Sequence, residues 1–297
     1  MELQWPLIVF TILVAWSAGL FASQCLVAIA GGAELSEKSG KSQMIAWVVS
    51  AVLLVAGGVA VLFHLEHWER IFNGFGNVTS GITQELVAIV VLVIVAIIYL
   101  AQMRRAENGV PGKAICVIGI VASIALVGIM AHSYLMAARP AWNSIAWVLY
   151  VLGNACVLGP CTMLLAMLAA RDSGTSSARL IALVGSVLAV ATAVAYAVVL
   201  QGAASSIVTI GYYSDPTMVA FPMTDVPSVF AGQSFLIWLG AVVVGTLVPL
   251  GCVLAARFKK DARSHAVLYA LAVLGAVVGA VSMRVAFYTL GLGLFVF

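Results

Sequence analysis

Apolar runs of about twenty residues recur along the whole chain, and they restrict its fold more than any other feature. Runs of that length, wound as α-helices, span the hydrocarbon core of a bilayer. Of the 297 residues, 64 % are hydrophobic and 8 % are charged, and the mean hydropathy is +1.16. A transmembrane β-barrel would instead show short segments of alternating polarity. We therefore predict an all-α, polytopic integral membrane protein with eight transmembrane helices over residues 5–30, 43–64, 81–102, 114–135, 144–170, 179–201, 233–256 and 265–290.

The basic residues predict the orientation of this bundle, because loops rich in Lys and Arg are retained in the cytoplasm. Eleven of the 14 Lys and Arg residues fall in the loops after the first, third, fifth and seventh runs, whereas Arg70 and Arg139 fall in the opposite loops. Both termini are therefore predicted to lie outside the cytoplasm. The net charge of +3 follows from this topology and does not indicate a nucleic-acid partner.

Two further features concern the organisation of the chain. The residues before the first run include Glu2 but no Lys or Arg, whereas a cleavable signal peptide begins with basic residues. We therefore expect this run to stay as the first helix. Connections are short apart from residues 202–232, and we expect one domain over residues 1–297.

One segment, residues 63–87, interrupts the apolar pattern with a cluster of polar and ionisable side chains. His64 ends the second run and Glu85 falls in the opening turns of the third, so both are expected near the outer edge of the hydrocarbon. Arg284 is expected at a similar depth in the eighth run, and Arg70 lies in the loop between His64 and Glu85. Ionisable groups inside a membrane are functional candidates by default. Each residue also has a purely structural alternative. His64 could lie in the headgroup region, Glu85 could be stabilised by the dipole of the third helix, and the Arg284 side chain could extend to the membrane surface.

The five cysteines all fall within apolar runs, at Cys25, Cys116, Cys156, Cys161 and Cys252. They form no C-x-x-C pair and have no histidine at metal-ligand spacing, which favours small buried hydrophobes over metal ligands. We therefore expect no metal site, and no iron–sulfur cluster held by this chain alone. No haem is expected either, although His64 and His132 form the one candidate pair of haem ligands.

Short motifs stand in a fixed order along these runs: WPLIVFT from Trp5, HL at His64, RIFN from Arg70, QEL around Glu85, GP at Gly159, QGA from Gln201 and RVAFY from Arg284. In this order and spacing they resemble the DmsC family, the membrane-anchor subunits of bacterial dimethyl sulfoxide reductases. The resemblance covers nearly the whole chain. The sequence departs from the family pattern after His64-Leu65, where Gly and Pro are usual and Glu66, His67 and Trp68 stand instead.

The resemblance implies an anchor in the cytoplasmic membrane of a bacterium that oxidises menaquinol. It also implies two partners, a ferredoxin-like iron–sulfur subunit and a molybdopterin catalytic subunit, which would carry the redox cofactors. Oxidising a quinol removes two electrons and two protons, so His64 and Glu85 are the candidate catalytic residues. Arg284 and Arg70 complete the candidate quinol-binding set, Arg284 by holding Glu85 or by stabilising negative charge on the quinol oxygen.

Two other functions are compatible with eight helices. A haem b quinol oxidase anchor would use the histidine pair, and a Soret band would identify it. A secondary transporter would place polar or broken helices near the midplane, where Asn154 is the main candidate. Gly153, Gly159 and Pro160 in the same run are interpreted as packing or kink positions.

The long connection 202–232 is predicted to lie on the outer face and carries aromatic residues but no Lys or Arg. We expect it to dock the iron–sulfur subunit together with the loop after the second run. The docking candidates are His67, Trp68, Tyr212 and Tyr213. The terminal electron acceptor, and the choice between menaquinone and ubiquinone, stay open at this point.

Overall fold

A computed structural model describes residues 3–32, 39–64, 77, 79–172, 175–209 and 225–296. Within these ranges, eight helices are long and apolar enough to cross a membrane, which confirms the predicted eight-helix bundle. They are α1 Trp5–Ala30, α2 Ser39–Leu62, α3 Gly81–Arg105, α4 Lys113–His132, α5 Ile145–Ala169, α6 Ser176–Ala203, α7 Val226–Ala256 and α8 Ala262–Thr289. The face at which α1 begins is called the N-terminal face. There α2 and α4 end, and α3 and α5 begin.

At the starts of α2 and α7, polar side chains support turns that lie beyond the predicted apolar runs. α2 begins at Ser39 rather than at residue 43, since the hydroxyls of Ser39 and Ser42 lie 3.4 and 3.5 Å from the buried Asp172 carboxylate. α7 begins at Val226 rather than at residue 233, and the Asp225 side chain caps its first turn.

The chain departs from plain α-helix at two places. The middle of α7, Phe235–Leu247, is a π-helix between the α-helical segments Val226–Gly232 and Val248–Ala256. A two-residue strand, β1 Val208–Thr209, pairs in parallel with β2 Phe295–Val296. This pair joins the chain after α6 to the chain after α8 on the N-terminal face.

α1 and α5 form the centre of the bundle, and α5 is the most buried of the eight helices. At their crossing, a Cβ added to Gly159 would lie 2.2 Å from the Gly19 carbonyl oxygen. A Cβ added to Gly19 would lie 2.4 Å from the carbonyl oxygen of Ala155. Glycine is what lets the two backbones approach this closely. Gly159 is therefore a packing position, as one of the two sequence interpretations held.

α2 and α3 lie at the edge of the bundle and bury the smallest share of their spanning residues, 17 % and 22 %. α2 packs on α1, and α3 packs on α4. The Ser17 hydroxyl on α1 donates to the Ser50 carbonyl on α2 at 2.7 Å, and the Ser50 hydroxyl donates to the Ser17 carbonyl at 3.0 Å. Reciprocal hydrogen bonds of this kind hold helices together where lipid supplies no hydrophobic force.

Candidate functional site

A cavity of about 640 Å³ lies at the N-terminal face between α1, the end of α2, the start of α3 and the connection from α4 to α5. We call it the α2–α3 cavity. His64 and Glu85 both line it, so the structure brings together the two candidate proton acceptors of the sequence. The other lining residues are Gln4, Leu7, Phe10, Gly58, Val61, Leu62, Ser80, Gly81, Ile82, Leu86, Ile89, Ser133, Tyr134, Met136, Arg139, Trp142 and Tyr288.

Glu85 lies beyond the first turn of α3, on one wall of the cavity. Its carboxylate accepts a hydrogen bond from the hydroxyl of Ser133, which directly follows α4. Gly81 permits this approach, because a Cβ at that position would lie 2.7 Å from the Ser133 Cβ. A carboxylate has about four lone-pair sites, so a single hydroxyl leaves acceptor capacity for a ligand.

His64 lines the cavity on the side of α2, two residues beyond the end of that helix. Its backbone N–H donates to the Val61 carbonyl at 3.0 Å, which continues the helical winding to the cavity rim. The imidazole is exposed there and makes no hydrogen bond within the described part of the chain. An imidazole in this position can accept a proton from a hydroxyl in the cavity.

Aromatic rings form the wall of the cavity that faces α5 and α8. Trp142 lines the cavity, and its ring stacks on that of Phe287, with centroids 4.7 Å apart. Phe287 in turn stacks on Trp147 with centroids 3.9 Å apart, and neither of these two rings lines the cavity. The Tyr288 hydroxyl is buried at the cavity, and its ring centroid lies 6.3 Å from that of Tyr134. Burial raises the pKa of Tyr134 well above its ordinary value, so the hydroxyl stays protonated and can donate to a ligand.

Arg139 is the one Lys or Arg side chain that lines the cavity within the described residues. Its guanidinium carbon lies 4.4 Å from the centroid of the Trp142 ring. One guanidinium nitrogen donates to the Gly291 carbonyl at 3.0 Å, just beyond α8. The cavity therefore has a cation fixed at its edge by an aromatic face and a backbone carbonyl.

Arg284 lies elsewhere. It is fully buried and does not line the cavity, and its Nε donates to the Thr11 hydroxyl at 2.8 Å. Further donations reach the carbonyls of Thr11 at 3.4 Å and Ala280 at 3.3 Å. Within the described residues, Arg284 therefore links α8 to α1 and forms no hydrogen bond with Glu85. Its burial is also incompatible with snorkelling to the surface.

The remaining sequence candidates lie either outside the cavity or outside the described residues. His132, the second histidine of the haem alternative, is exposed and does not line the cavity. Asn154 is buried in α5, with its side-chain nitrogen 3.5 Å from the Ala276 carbonyl. In the ranges that the structure describes, no group of three or more His, Cys, Asp and Glu side chains could hold a metal ion. The candidates that lie outside the described residues are His67, Trp68, Arg70, Tyr212 and Tyr213.

Several lining residues were not identified from the sequence, among them Ser133, Tyr134, Trp142 and Tyr288. Three of these lie in the connection from α4 to α5, which contains two aromatic residues and Arg139 within a short polar segment. Such a concentration in a predicted outer loop is the signal that could have pointed to the cavity. Tyr288 ends the RVAFY motif, but its spacing alone does not predict a hydroxyl in a cavity.

The fold defines a multi-pass membrane protein, and the α2–α3 cavity is its candidate site. The chain belongs to the DmsC family, described as the DMSO reductase anchor subunit, whose family profile matches residues 1–290. A comparison with curated proteins gives no match. Family membership makes the chain the membrane anchor of a DMSO reductase-type enzyme, associated with catalytic and iron–sulfur subunits.

Proposed function

We propose that this anchor oxidises a quinol, of which menaquinol is the expected form, in the α2–α3 cavity. The observation that carries the proposal is the pairing of His64 and Glu85 across one cavity whose remaining walls are largely apolar and aromatic. A quinol has the matching chemistry, since its two hydroxyl groups release protons and its ring and tail are apolar. Sites for small ligands commonly combine apolar walls with a few convergent polar groups.

Three polar side chains of the cavity have a chemical use in this reaction. Loss of two electrons from a quinol converts it to a quinone and releases the two hydroxyl protons. His64 accepts one proton on the α2 side of the cavity, and Glu85 accepts the other on the α3 side. Tyr134 stays protonated and donates a hydrogen bond to the ring oxygen, which stabilises negative charge that develops as the proton leaves.

The two electrons then pass to the iron–sulfur subunit and on to the molybdopterin catalytic subunit. In this proposal the N-terminal face is the outer face of the cytoplasmic membrane of a bacterium, because eleven of the 14 basic residues lie in or next to loops of the opposite face. His67 and Trp68 follow α2 along the chain, and Tyr212 and Tyr213 follow β1. In this proposal these four residues dock the iron–sulfur subunit.

The test separates quinol chemistry from assembly. His64→Leu and Glu85→Gln complexes are assayed for acceptor reduction driven by quinol and by an artificial dye that reduces the partner's clusters directly. We expect quinol-driven turnover to fall at least about 100-fold, because each variant removes a proton acceptor, while dye-driven turnover stays at the wild-type level.

His132→Leu is the matched control, since that histidine is exposed at the same face but lies outside the cavity. It should keep both rates. Wild-type quinol turnover in both His64→Leu and Glu85→Gln would refute the site.

A further inference from the structure

α2 and α3 are consecutive helices, and two side-chain hydrogen bonds join them in the half of the pair away from the N-terminal face. The indole nitrogen of Trp47 on α2 donates to the Ala96 carbonyl on α3 at 2.9 Å. One turn further from the N-terminal face, the Tyr99 hydroxyl donates to the Gln43 side-chain oxygen at 2.8 Å. These contacts fix the antiparallel register of the pair.

The register places Gly58 and Glu85 at the same height. Gly58 follows Trp47 by eleven residues, and Glu85 precedes Ala96 by eleven residues. At 1.5 Å per residue, both stand about 16 Å nearer the N-terminal face than the Trp47–Ala96 hydrogen bond. Both line the α2–α3 cavity, so the cavity fills the space between the two helices at this height.

The glycine pair on α2 shows which side of the helix faces this space. A Cβ added to Gly57 would lie 3.1 Å from a methyl carbon of Val14, so Gly57 packs against α1. A Cβ added to Gly58 would meet no atom within 4 Å. Gly58 therefore faces open space where α2 would otherwise meet α3.

The open space reaches the lipid-facing surface of the bundle. Leu62 on α2 and Ile82 on α3 line the cavity and are 39 % and 62 % exposed. Deeper in the gap, Leu86 and Ile89 continue the apolar wall of α3 below Glu85. The cavity thus combines a polar end near His64 and Glu85 with an apolar cleft between two spanning helices.

We infer that this cleft is the lateral portal of the site, through which a quinol enters from the bilayer and in which its isoprenoid tail stays while the ring reaches Glu85. The inference rests on the proposed function and names the form of substrate that the site takes, a tailed quinol dissolved in the membrane. An isoprenoid chain is strongly apolar, so a cleft at hydrocarbon depth lets it remain in contact with apolar groups throughout.

A second cavity, of about 330 Å³, lies between α1, α4, α5 and α6. Its lining includes Gly19, Ser123 and Pro160 but no ionisable side chain other than Cys156. It has an apolar lining without a group that would deprotonate a quinol ring, so we assign the tail to the α2–α3 cleft.

Photolabelling of the assembled complex in membranes tests the portal directly. The probe is a quinone with a diazirine on its isoprenoid tail, and an unlabelled tailed quinone serves as competitor. We expect adducts that the competitor suppresses on residues 58–62 of α2 and 82–89 of α3. Suppressible adducts confined to other helices would overturn the portal while leaving quinol binding intact. Absence of any suppressible adduct would count against both the portal and the proposed function.

Kinetics of Gly58→Phe supply a second test, because a phenyl ring at this position would fill the cleft. We expect kcat/KM for a tailed quinol to fall at least about tenfold while kcat at saturating quinol and dye-driven turnover keep more than half of their wild-type values. Glu85→Gln should show the opposite pattern, with its loss mainly in kcat.

One control accompanies this variant. Val52→Phe places the same ring on an exposed α2 residue that does not line the cavity, and it should keep wild-type kinetics. Wild-type kcat/KM in Gly58→Phe would overturn the portal, and equal losses in Gly58→Phe and Val52→Phe would do the same.

Discussion

The crossing of α1 with α5 and the gap between α2 and α3 use glycine in opposite ways. At the crossing, Gly159 brings two backbones so close that an added Cβ would lie 2.2 Å from the Gly19 carbonyl oxygen. In the gap, an added Cβ at Gly58 would meet no atom within 4 Å. The same residue type makes close contact at the centre and leaves space at the edge. Glu85, the one cavity-lining carboxylate within the described residues, lies on the open side.

The difference has a physical cause in how helices associate in lipid. Lipid tails are as apolar as the helix surfaces, so close packing and hydrogen bonds decide which helices stay together. α1 has both, with Gly19 against α5 and Ser17 paired to Ser50 on α2. α2 and α3 each pack mainly on another neighbour, so a gap between them costs the bundle few contacts.

The largest expected effect is at the closed crossing. In Gly159→Ala the new methyl group would meet the Gly19 carbonyl, and backbone rather than a flexible side chain would have to move. We expect the free energy of unfolding to fall by about 3 kcal/mol, as for overpacking in a tight core. Thermal unfolding of the purified complex in detergent, followed by tryptophan fluorescence, measures this.

Gly251→Ala on α7 is the matched control, since an added Cβ there meets no atom within 4 Å. If Gly159→Ala and Gly251→Ala unfolded at the same temperature, the crossing would not be as tight as the structure shows.

The sequence predicted the closed and open regions with unequal success. Helix number and approximate limits follow from the length of apolar runs, and α1 begins and ends at the predicted residues. The common position of His64 and Glu85 also followed, because antiparallel neighbours joined by one loop end and begin at the same face. These inferences need only the apolar runs in the sequence and the alternating direction in which successive helices cross the membrane.

The hydrogen-bond partners of the ionisable side chains could not be predicted from the sequence. Arg284 bonds Thr11, which is 273 residues away along the chain, and the hydroxyl that holds Glu85 belongs to Ser133 in the connection from α4 to α5. Such contacts depend on the rotation of each helix about its axis. Most spans here are apolar on every side. The periodicity of the hydrophobic residues therefore does not predict which side of each helix faces its neighbours.

The second prediction concerns the hydroxyl that holds Glu85 at the open side. Ser133→Ala removes this hydrogen bond and frees the carboxylate to turn away from a bound ligand. We expect quinol-driven turnover to fall about tenfold, near the lower end of the value of a hydrogen bond to a charged group. Dye-driven turnover of the same complex should not change.

Ser123→Ala is the control for this variant. The Ser123 hydroxyl is buried in α4 and donates to the Gly119 carbonyl of its own helix at 2.8 Å, so its loss leaves Glu85 untouched. Equal quinol-driven turnover in the two variants would show that Ser133 does not position the carboxylate.

The smallest expected effect gives the sharpest comparison, because it separates two adjacent glycines. In Gly57→Ala the new methyl group would lie 3.1 Å from the Val14 methyl carbon and 3.3 Å from the Leu13 Cβ. α1 must then yield by a few tenths of an ångström, and we expect a loss of about 1 kcal/mol in the free energy of unfolding. Gly58→Ala should be neutral or gain a few tenths of a kcal/mol, because alanine favours helix over glycine. Thermal unfolding of the two complexes side by side measures the difference. Equal midpoints would mean that α2 is rotated differently about its axis, and Gly58 would then no longer border the gap beside Glu85.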